Sequence, residues 1–274
     1  MRPTLGKRQL AEVALQLSDR DWMILGDLAR YRLLSGQQVR RLRFTEHASK
    51  PAAARAATGA LRRLAGHQLI RTLSRRVGGQ RGGSDSYLWY LAPAGTRLLT
   101  SRNNAAYPRS GLTSEPGGRY IRHTLAVAEI AVQLYECAAA GDLEVLTLEA
   151  EPTCWQDYLD QAGVRRLLKP DLFTVTAANG SEFEQFWFIE IDLATESAAT
   201  IAAKIGIYDR YQVSGRAAHH YGVMPRVAWI TPDQARADTI ARIAARPSTP
   251  GIHQPMILDV FLDAVTETSA RAGP

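Results

Sequence analysis

The chain has 274 residues, of which 46% are hydrophobic, and this is enough for two domains with apolar cores. Its formal net charge is +6, and its two cysteines argue against both a disulfide framework and a cysteine-rich zinc site. No run approaches the ~18 apolar residues of a membrane span, and the sequence after Met1 does not resemble a signal peptide. We therefore expect a cytoplasmic protein with no membrane contact.

The positive charge is concentrated in the first part of the chain. Residues 1–110 contain 20 Lys and Arg against 6 Asp and Glu, whereas residues 111–274 contain 13 against 21. A net charge of +14 is thus followed by one of −8. This change of sign indicates a nucleic-acid-binding module joined to a module with a different task.

Three helices are predicted between residues 17 and 66, after a partly ordered lead-in. Ser18 and Ser35 are expected N-caps of the first two helices, and Pro51 fits the first turn of the third. The third helix combines an apolar stripe with a polar face. The stripe is Ala53, Ala57, Leu61 and Leu64, and the polar face is Arg55, Thr58 and Arg62.

Two extended runs follow, residues 67–77 and 87–91, with a glycine-rich loop between them. A last helix is predicted from the Leu-Ala-Pro-Ala-Gly segment, Leu91 to Gly95, through Leu99. Three helices, a hairpin with a basic tip and a closing helix resemble the winged-helix domains of bacterial regulators and replication proteins. We therefore predict a winged helix-turn-helix domain over residues 17–100.

In such a domain the third helix enters the major groove of double-stranded DNA. Arginine can make bidentate bonds to guanine there, and threonine can meet a base edge or a methyl group. The predicted DNA-binding residues are Arg55, Thr58, Arg62 and Arg63 on the third helix, with Arg75, Arg76 and Arg81 on the wing. Two alternatives stay open, namely an ordinary solvated face and a surface for protein contacts.

A second domain is predicted over residues 119–264, after a linker at residues 101–118. The patterns predict a long helix, three strands, a helix, a strand, and then another helix and strand. Residues 152–168 are predicted to be irregular, residues 256–262 to form a late strand, and the tail after Thr266 to be disordered. The expected fold class is α/β (α+β overall), with helices on the faces of a mixed sheet.

Acidic side chains are predicted to meet at one edge of this sheet. The Asn179-Gly180 step favours a tight hairpin in which the numbers of paired residues sum to between 359 and 363. Asp171 then lies opposite residue 188, 190 or 192. Because side chains alternate along a strand, Glu190 and Asp192 share one face. Glu149 or Glu151 can join them from a neighbouring strand.

Clustered carboxylates of this kind suit Mg²⁺ or Mn²⁺, and the predicted metal ligands are Asp171, Glu190, Asp192 and Glu149. Lys204 shares a helix face with Glu196, Thr200 and Tyr208, so it can project toward the acids. A metal and a cation beside a phosphodiester would support its cleavage, which makes Asp171, Glu190 and Lys204 the catalytic candidates. The alternative is a structural pairing of Glu190 or Asp192 with Arg or Lys.

Pro170-Asp171 and Glu190-Ile191-Asp192, on this order of elements, resemble the PD-(D/E)XK nuclease-like superfamily. Over about residues 17–215 the chain also resembles the replication-relaxation family of plasmids and other mobile elements. The motifs that carry the second resemblance are Arg122-His123, Trp155, Pro170-Asp171, Ile189 to Asp192 with Thr195-Glu196, and Lys204 to Tyr208. The resemblance implies a DNA-binding protein needed for plasmid replication or for relaxation of plasmid DNA.

The chain departs from the nuclease motif where Asp192 replaces a lysine. Asp192 cannot supply the positive charge, so Lys204 would have to do so, or else Arg165, Arg166 or Lys169. Our leading hypothesis is a sequence-specific DNA-binding protein of a plasmid or mobile element, with replication or mobilisation proteins as partners. The alternatives are a Mg²⁺-dependent endonuclease or nickase, and a transcriptional repressor that uses the α/β domain as a homodimer interface. Whether the protein is an enzyme stays open.

Overall fold

The computed structural model describes residues 5–76, 87–103, 116–245 and 251–267. The chain divides into two compact units, Met1–Val132 and Gln133–Pro274. Helices and a mixed five-stranded sheet occur together, which confirms the predicted α+β class. Within the described ranges, no helix combines the length and the apolar composition that crossing a bilayer requires.

The first unit consists of short helices around a small antiparallel sheet. Its elements are α1 (Lys7–Ala14), α2 (Asp19–Tyr31), β1 (Leu34–Ser35), α3 (Gly36–Arg43), α4 (Lys50–Gly66), β2 (Ile70–Arg76), β3 (Tyr87–Leu91) and α5 (Pro93–Asn103). The sheet has the order β1-β3-β2 and all of its pairs are antiparallel. From α2 to α5 these are the predicted elements, with β1 added.

Serine caps fix where three of these helices begin. The hydroxyl oxygens of Ser18, Ser35 and Ser49 each accept a hydrogen bond from the backbone N–H three residues further on. Ser18 and Ser35 belong to reciprocal capping boxes, so two otherwise unpaired backbone donors are satisfied at each of those ends. All four residues of the predicted apolar stripe of α4 are buried. The sequence reasoning for these helices is therefore confirmed.

Helix α1 occupies a segment that was predicted to be only a partly ordered lead-in. Its starting geometry is held by Gln9, whose side chain accepts from the backbone N–H of Gly6 at 2.9 Å. An ion pair between Arg8 and Glu12, one turn apart, supports it further. Leu10 is the buried residue of this helix.

Helix α6 (Gly118–Ala140) was predicted to open the second domain, but its first half packs within the first unit. Ile121 joins the buried cluster of Leu33, Leu73 and Leu88. Gln38 Nε2 donates to the backbone oxygen of Leu125 at 2.9 Å. The division between the compact units consequently lies inside α6, after Val132. Residues 104–115 of the predicted linker lie outside the described ranges, so the domain limits stay a prediction.

The second unit is built on a central sheet. Its elements are β4 (Leu143–Ala150), β5 (Gln156–Leu159), β6 (Arg165–Leu168), β7 (Leu172–Ala178), β8 (Glu184–Ile191), α7 (Ala198–Val213), α8 (Arg216–Tyr221), β9 (Arg226–Thr231), α9 (Gln234–Ala244), β10 (His253–Ile257) and α10 (Leu258–Thr266). The sheet order is β10-β9-β8-β7-β4. Strands β4, β7 and β8 pair antiparallel, whereas β8, β9 and β10 pair parallel.

Strand β8 is the central strand, and the sequence predicted this from its apolar residues on both faces. On one face Phe188 packs in the main core with Tyr208 of α7. On the other face the ring of Trp187 meets Phe261 of α10 edge-on, with 5.5 Å between ring centroids. Helices thus cover both faces of the sheet at β8, and Glu190 and Asp192 at its end are buried.

Two predictions for the second unit were wrong. Residues 156–168, expected to be irregular, contain the β5–β6 hairpin, and Asp160 stabilises its turn by accepting from the backbone N–H groups of Ala162 and Val164. The late strand expected at residues 256–262 ends at Ile257 and continues as helix α10. A short apolar run does not distinguish strand from helix, and Asp259 in the first turn favours the helix. The predicted disordered tail is outside the described residues from 268 onward.

Candidate functional site

Asp171 and Glu190 lie opposite each other at the end of the β7–β8 hairpin. Leu172 pairs with Ile189, so the numbers of paired residues sum to 361, within the predicted range. The backbone N–H of Asp171 donates to the oxygen of Ile189 at 3.1 Å. In return, Asp171 Oδ2 accepts from the backbone N–H of Ile191 at 2.8 Å. The Asp171 side chain is therefore held against the strand that carries Glu190.

Glu190 is buried, with 4% of its surface exposed, and helix α7 supplies its partners. Tyr208 Oη donates to Glu190 Oε1 at 2.6 Å, and Lys204 Nζ donates to Glu190 Oε2 at 3.2 Å. Lys204 also lies 3.2 Å from Glu196 Oε2. The structure thus brings together the three catalytic candidates Asp171, Glu190 and Lys204. We call these three residues, with Tyr208, the acidic cluster.

Sequence reasoning missed Tyr208 as a member of this site. The signal for it was present, because Lys204 and Tyr208 are four residues apart and therefore share a helix face. A tyrosine on a face that also carries apolar residues is usually packed in the core, and Tyr208 is 1% exposed. Only the contact with Glu190 shows that its hydroxyl also positions a carboxylate.

Opposing electrostatic effects act on the acidic cluster. Burial and the neighbouring Asp171 carboxylate raise the pKa of Glu190 to about 7, although Lys204 and Tyr208 act in the opposite direction. Burial works against a charged Lys204, but the carboxylates of Glu190, Glu196 and Asp171 outweigh it and raise the lysine pKa. Burial and Glu190 raise the pKa of Tyr208 well above its ordinary value, so its hydroxyl stays a hydrogen-bond donor.

Asp192, a predicted metal ligand, is engaged outside the acidic cluster. Its Oδ2 accepts from Arg236 Nε of helix α9 at 2.7 Å, and Arg236 Nη2 lies 2.6 Å from the same oxygen. Its Oδ1 accepts from the backbone N–H of Ala194 at 2.6 Å. Ala194 has a φ of 56°, so this bond holds a backbone turn in the left-handed region. These contacts support the structural alternative for Asp192.

The fourth predicted metal ligand, Glu149, lies on the same face of the sheet as the acidic cluster. It pairs across the sheet with Phe173, which in turn pairs with Phe188 of the main core. Carboxylate oxygens are the donors that Mg²⁺ prefers, so the donor type of Asp171 and Glu190 fits such an ion. Nevertheless, in the described part of the chain no three His, Cys, Asp or Glu side chains are grouped to hold a metal.

On α4, the predicted DNA-reading residues differ in what they contact. Arg55 and Arg62 are exposed, and Thr58 is half-buried between them on the same face. Arg63 instead donates to Asp21 Oδ1 at 2.7 Å. Asp21 is buried, 1% exposed, and is part of the Ser18 capping box, so Arg63 ties α4 to the start of α2.

The side chains of the three predicted wing arginines lie outside what the structure describes. Arg75 and Arg76 belong to strand β2, but their side chains lie outside what the structure describes. Arg81 lies outside the described residues altogether. Their predicted role in phosphate binding therefore stays a prediction.

The fold and the site define a two-unit α+β protein with an exposed arginine face in its basic unit and a buried acidic cluster in its second unit. A sequence model of the replication-relaxation family matches residues 25–227, which is more than half of the chain, and the chain therefore belongs to that family. The membership indicates a role in replication or relaxation of a plasmid or mobile element. Comparisons with curated proteins and with solved structures gave no match.

Proposed function

We propose that the protein binds double-stranded DNA through helix α4 and that this binding serves plasmid replication or relaxation. The observation that carries the proposal is the α4 face of Arg55, Thr58 and Arg62. Two exposed guanidinium groups lie two helical turns apart, a spacing of about 10 Å, which suits two base pairs about three steps apart in a major groove. The family match includes this helix.

The opposite face of α4 supports this reading. Small buried residues, Ala53, Ala57 and Ala60, let the helix pack closely on its unit, while the two arginines stay outside. The charge of the first 110 residues, +14, gives the same part of the chain a long-range attraction for phosphate. We also interpret these helices and the small sheet as a winged helix-turn-helix domain, in which α4 is the helix that enters the major groove.

The double variant Arg55→Ala with Arg62→Ala tests DNA reading. Each bidentate arginine–guanine contact contributes about 1–3 kcal/mol, so we expect a loss of affinity on the order of 100-fold for plasmid-origin DNA. The measurement is fluorescence anisotropy with a labelled origin duplex and with a scrambled duplex. The difference in affinity between the two duplexes should shrink as well.

A matched control removes the same charge elsewhere in the first unit. Arg8→Ala with Arg97→Ala changes exposed residues of α1 and α5, so it should weaken binding only through net charge. An equal loss in both double variants would reject α4 as the reading helix. Wild-type binding that does not depend on salt would reject the DNA-binding proposal itself.

The acidic cluster supports a second candidate, a Mg²⁺- or Mn²⁺-dependent DNA endonuclease or nickase. The observation that favours it is the meeting of Asp171, just before β7, with Glu190 of β8 and Lys204 of α7. A bound ion would polarise a phosphoryl oxygen. Within the chain, Lys204 and Tyr208 orient the Glu190 carboxylate, and Lys204 supplies a positive charge that Asp192 cannot.

Supercoiled plasmid incubated with the protein and Mg²⁺ or Mn²⁺ tests this candidate. We expect nicked circles with the wild type and none with Asp171→Ala or Glu190→Ala, because each variant loses one of the two opposed carboxylates. Glu184→Ala, which removes an exposed acid from the same strand β8, should nick like the wild type. Nicking that persists in the Asp171 and Glu190 variants, or a wild type that leaves the plasmid intact, would count against a nuclease.

A further inference from the structure

A groove of about 410 Å³ lies in the second unit, between the β5–β6 hairpin and the turn that joins α7 to α8. The hairpin contributes Asp157, Tyr158, Leu159 and Arg165, and the turn with α8 contributes Ser214, Gly215, Arg216 and His219. We call it the hairpin groove. The main core supports the base of the groove, because Tyr158 packs edge-on against Tyr211 there, with 5.3 Å between ring centroids.

The hairpin groove is lined by two arginines, Arg165 and Arg216, against one carboxylate, Asp157, although it lies in the acidic part of the chain. Residues 210–220, which lead into the groove, contain two arginines, two histidines and no Asp or Glu, within a half whose net charge is −8. Arg216 and His219 bring this segment to the groove, and both are exposed. Among the residues that the structure describes, Arg216 is in no ion pair, but it attracts Asp157, because the hydrogen bond from Arg165 and then the charge of Arg216 lower the pKa of that carboxyl. An anion that displaces Asp157 from Arg165 therefore also meets Arg216.

Arg165, on the other side of the groove, is held by a contact that is easily exchanged. Arg165 Nη2 lies 2.9 Å from Asp157 Oδ2, and the two side chains are 76% and 57% exposed. An ion pair this exposed to solvent adds little stability, so a phosphate can replace Asp157 at small cost. A guanidinium group also matches phosphate with two parallel hydrogen bonds. Arg165 and Arg216 can thus bind phosphates of the same nucleic-acid strand from the two sides of the groove.

The hairpin groove lies along the same helix as the acidic cluster. Lys204 and Tyr208 of α7 contact Glu190, and α7 ends at Val213, where Ser214 begins the groove. Ten residues of helix separate Lys204 from Ser214, a rise of about 15 Å. That length corresponds to about four phosphates of one strand, since a strand of double-stranded DNA carries one charge per about 3.4 Å of helix axis.

The geometry points to the hairpin groove as a second nucleic-acid contact, which binds the phosphate backbone of a strand and directs it along α7 toward the acidic cluster. This inference rests on the proposed DNA-binding function. The guanidinium groups of Arg165 and Arg216 receive phosphates, and the His219 imidazole can donate a hydrogen bond to one. Leu159 also lines the groove, is 61% exposed, and can pack against the apolar faces of sugars.

The test measures DNA binding by the full chain over a series of salt concentrations. The groove variant is Arg165→Ala with Arg216→Ala, and its matched control is Arg226→Ala with Arg242→Ala, two exposed arginines of the same unit outside the groove. We expect the groove variant to lose about tenfold in affinity near 0.1 M salt and its log–log salt slope to fall by about two, since each phosphate contact contributes about 0.9. The control should keep the wild-type slope.

The outcomes separate this inference from the proposed function. If wild type binds DNA and Arg55→Ala with Arg62→Ala weakens it, but the groove variant matches its control, the hairpin groove is not a DNA contact. If wild type shows no salt-dependent binding, the proposed function fails and the groove inference with it. If the groove variant keeps its DNA affinity but loses binding to a labelled peptide of alternating Glu and Leu, the occupant is an acidic protein segment instead, and the inference is overturned.

Discussion

Replacing Arg236 by alanine is expected to destabilise the second unit by about 3–5 kcal/mol. Asp192 is 3% exposed and receives both Arg236 nitrogens on one oxygen, so the variant leaves a buried carboxylate with only the backbone N–H of Ala194. Arg236 also donates to the backbone oxygen of Glu196 at 2.9 Å, and the variant removes that donor too. Urea-induced unfolding followed by circular dichroism measures the change.

Two further variants show whether the buried charge causes the loss. Arg242→Ala removes an exposed arginine from the same helix α9 and should change stability by less than about 0.5 kcal/mol. Asp192→Asn combined with Arg236→Ala removes both charges but keeps the oxygen that holds Ala194. This pair should be more stable than Arg236→Ala alone. If the double variant is no better, Asp192 is not a buried uncompensated charge in the single variant.

Local patterns were sufficient for the elements that carry both candidate sites. The Asn179-Gly180 turn narrowed the register of the hairpin to three possibilities, and the observed register is the one that places Asp171 opposite Glu190. In the same way, the 3.6-residue period of α4 separated its buried alanines from Arg55 and Arg62. In both cases the residues that decide the geometry lie within a few positions of one another.

Partners distant in sequence account for what sequence reasoning did not find. Arg63 is tied to Asp21 and Asp192 to Arg236, over separations of 42 and 44 residues. A local sequence pattern predicts an arginine on an exposed helix face or an acid at the end of a strand. It does not predict which charged residue of another helix will pair with it. The two pairings remove Arg63 and Asp192 from the freely available charges that the sequence suggested.

The β5–β6 hairpin was missed for a different physical reason. Its strands are four residues each, and Arg165, Arg166 and Leu167 leave no clean alternation of apolar and polar residues. A two-stranded hairpin is marginal by itself. It is stabilised here by Tyr158 and Leu168, which are buried in the main core, and by the Asp160 turn. These core contacts form only when the sheet is assembled, so local sequence patterns do not predict them.

Glu190→Gln is expected to change how stability depends on pH. The folded-state pKa of Glu190, about 7, is above its ordinary value of 4.5, so the folded protein holds this proton more tightly than the unfolded chain does. Its contribution is fully present below pH 4.5 and is lost as pH rises through about 7. The free energy of unfolding of the wild type minus that of Glu190→Gln should therefore fall, by on the order of 3 kcal/mol, between pH 4 and pH 8.

Glu184→Gln on the same strand, where the carboxyl is exposed, gives the matched comparison for losing an acid without burial. A difference that falls for Glu190 but not for Glu184 means that Glu190 keeps its proton up to near neutral pH, and below that pH any cation would have to displace the proton before binding. A difference that rises with pH would mean the opposite, namely that Lys204 and Tyr208 hold Glu190 ionised. The pH dependence of this stability difference thus shows whether Glu190 is ionised and can bind a cation, or is a neutral hydrogen-bonded group. The result does not depend on any cleavage assay.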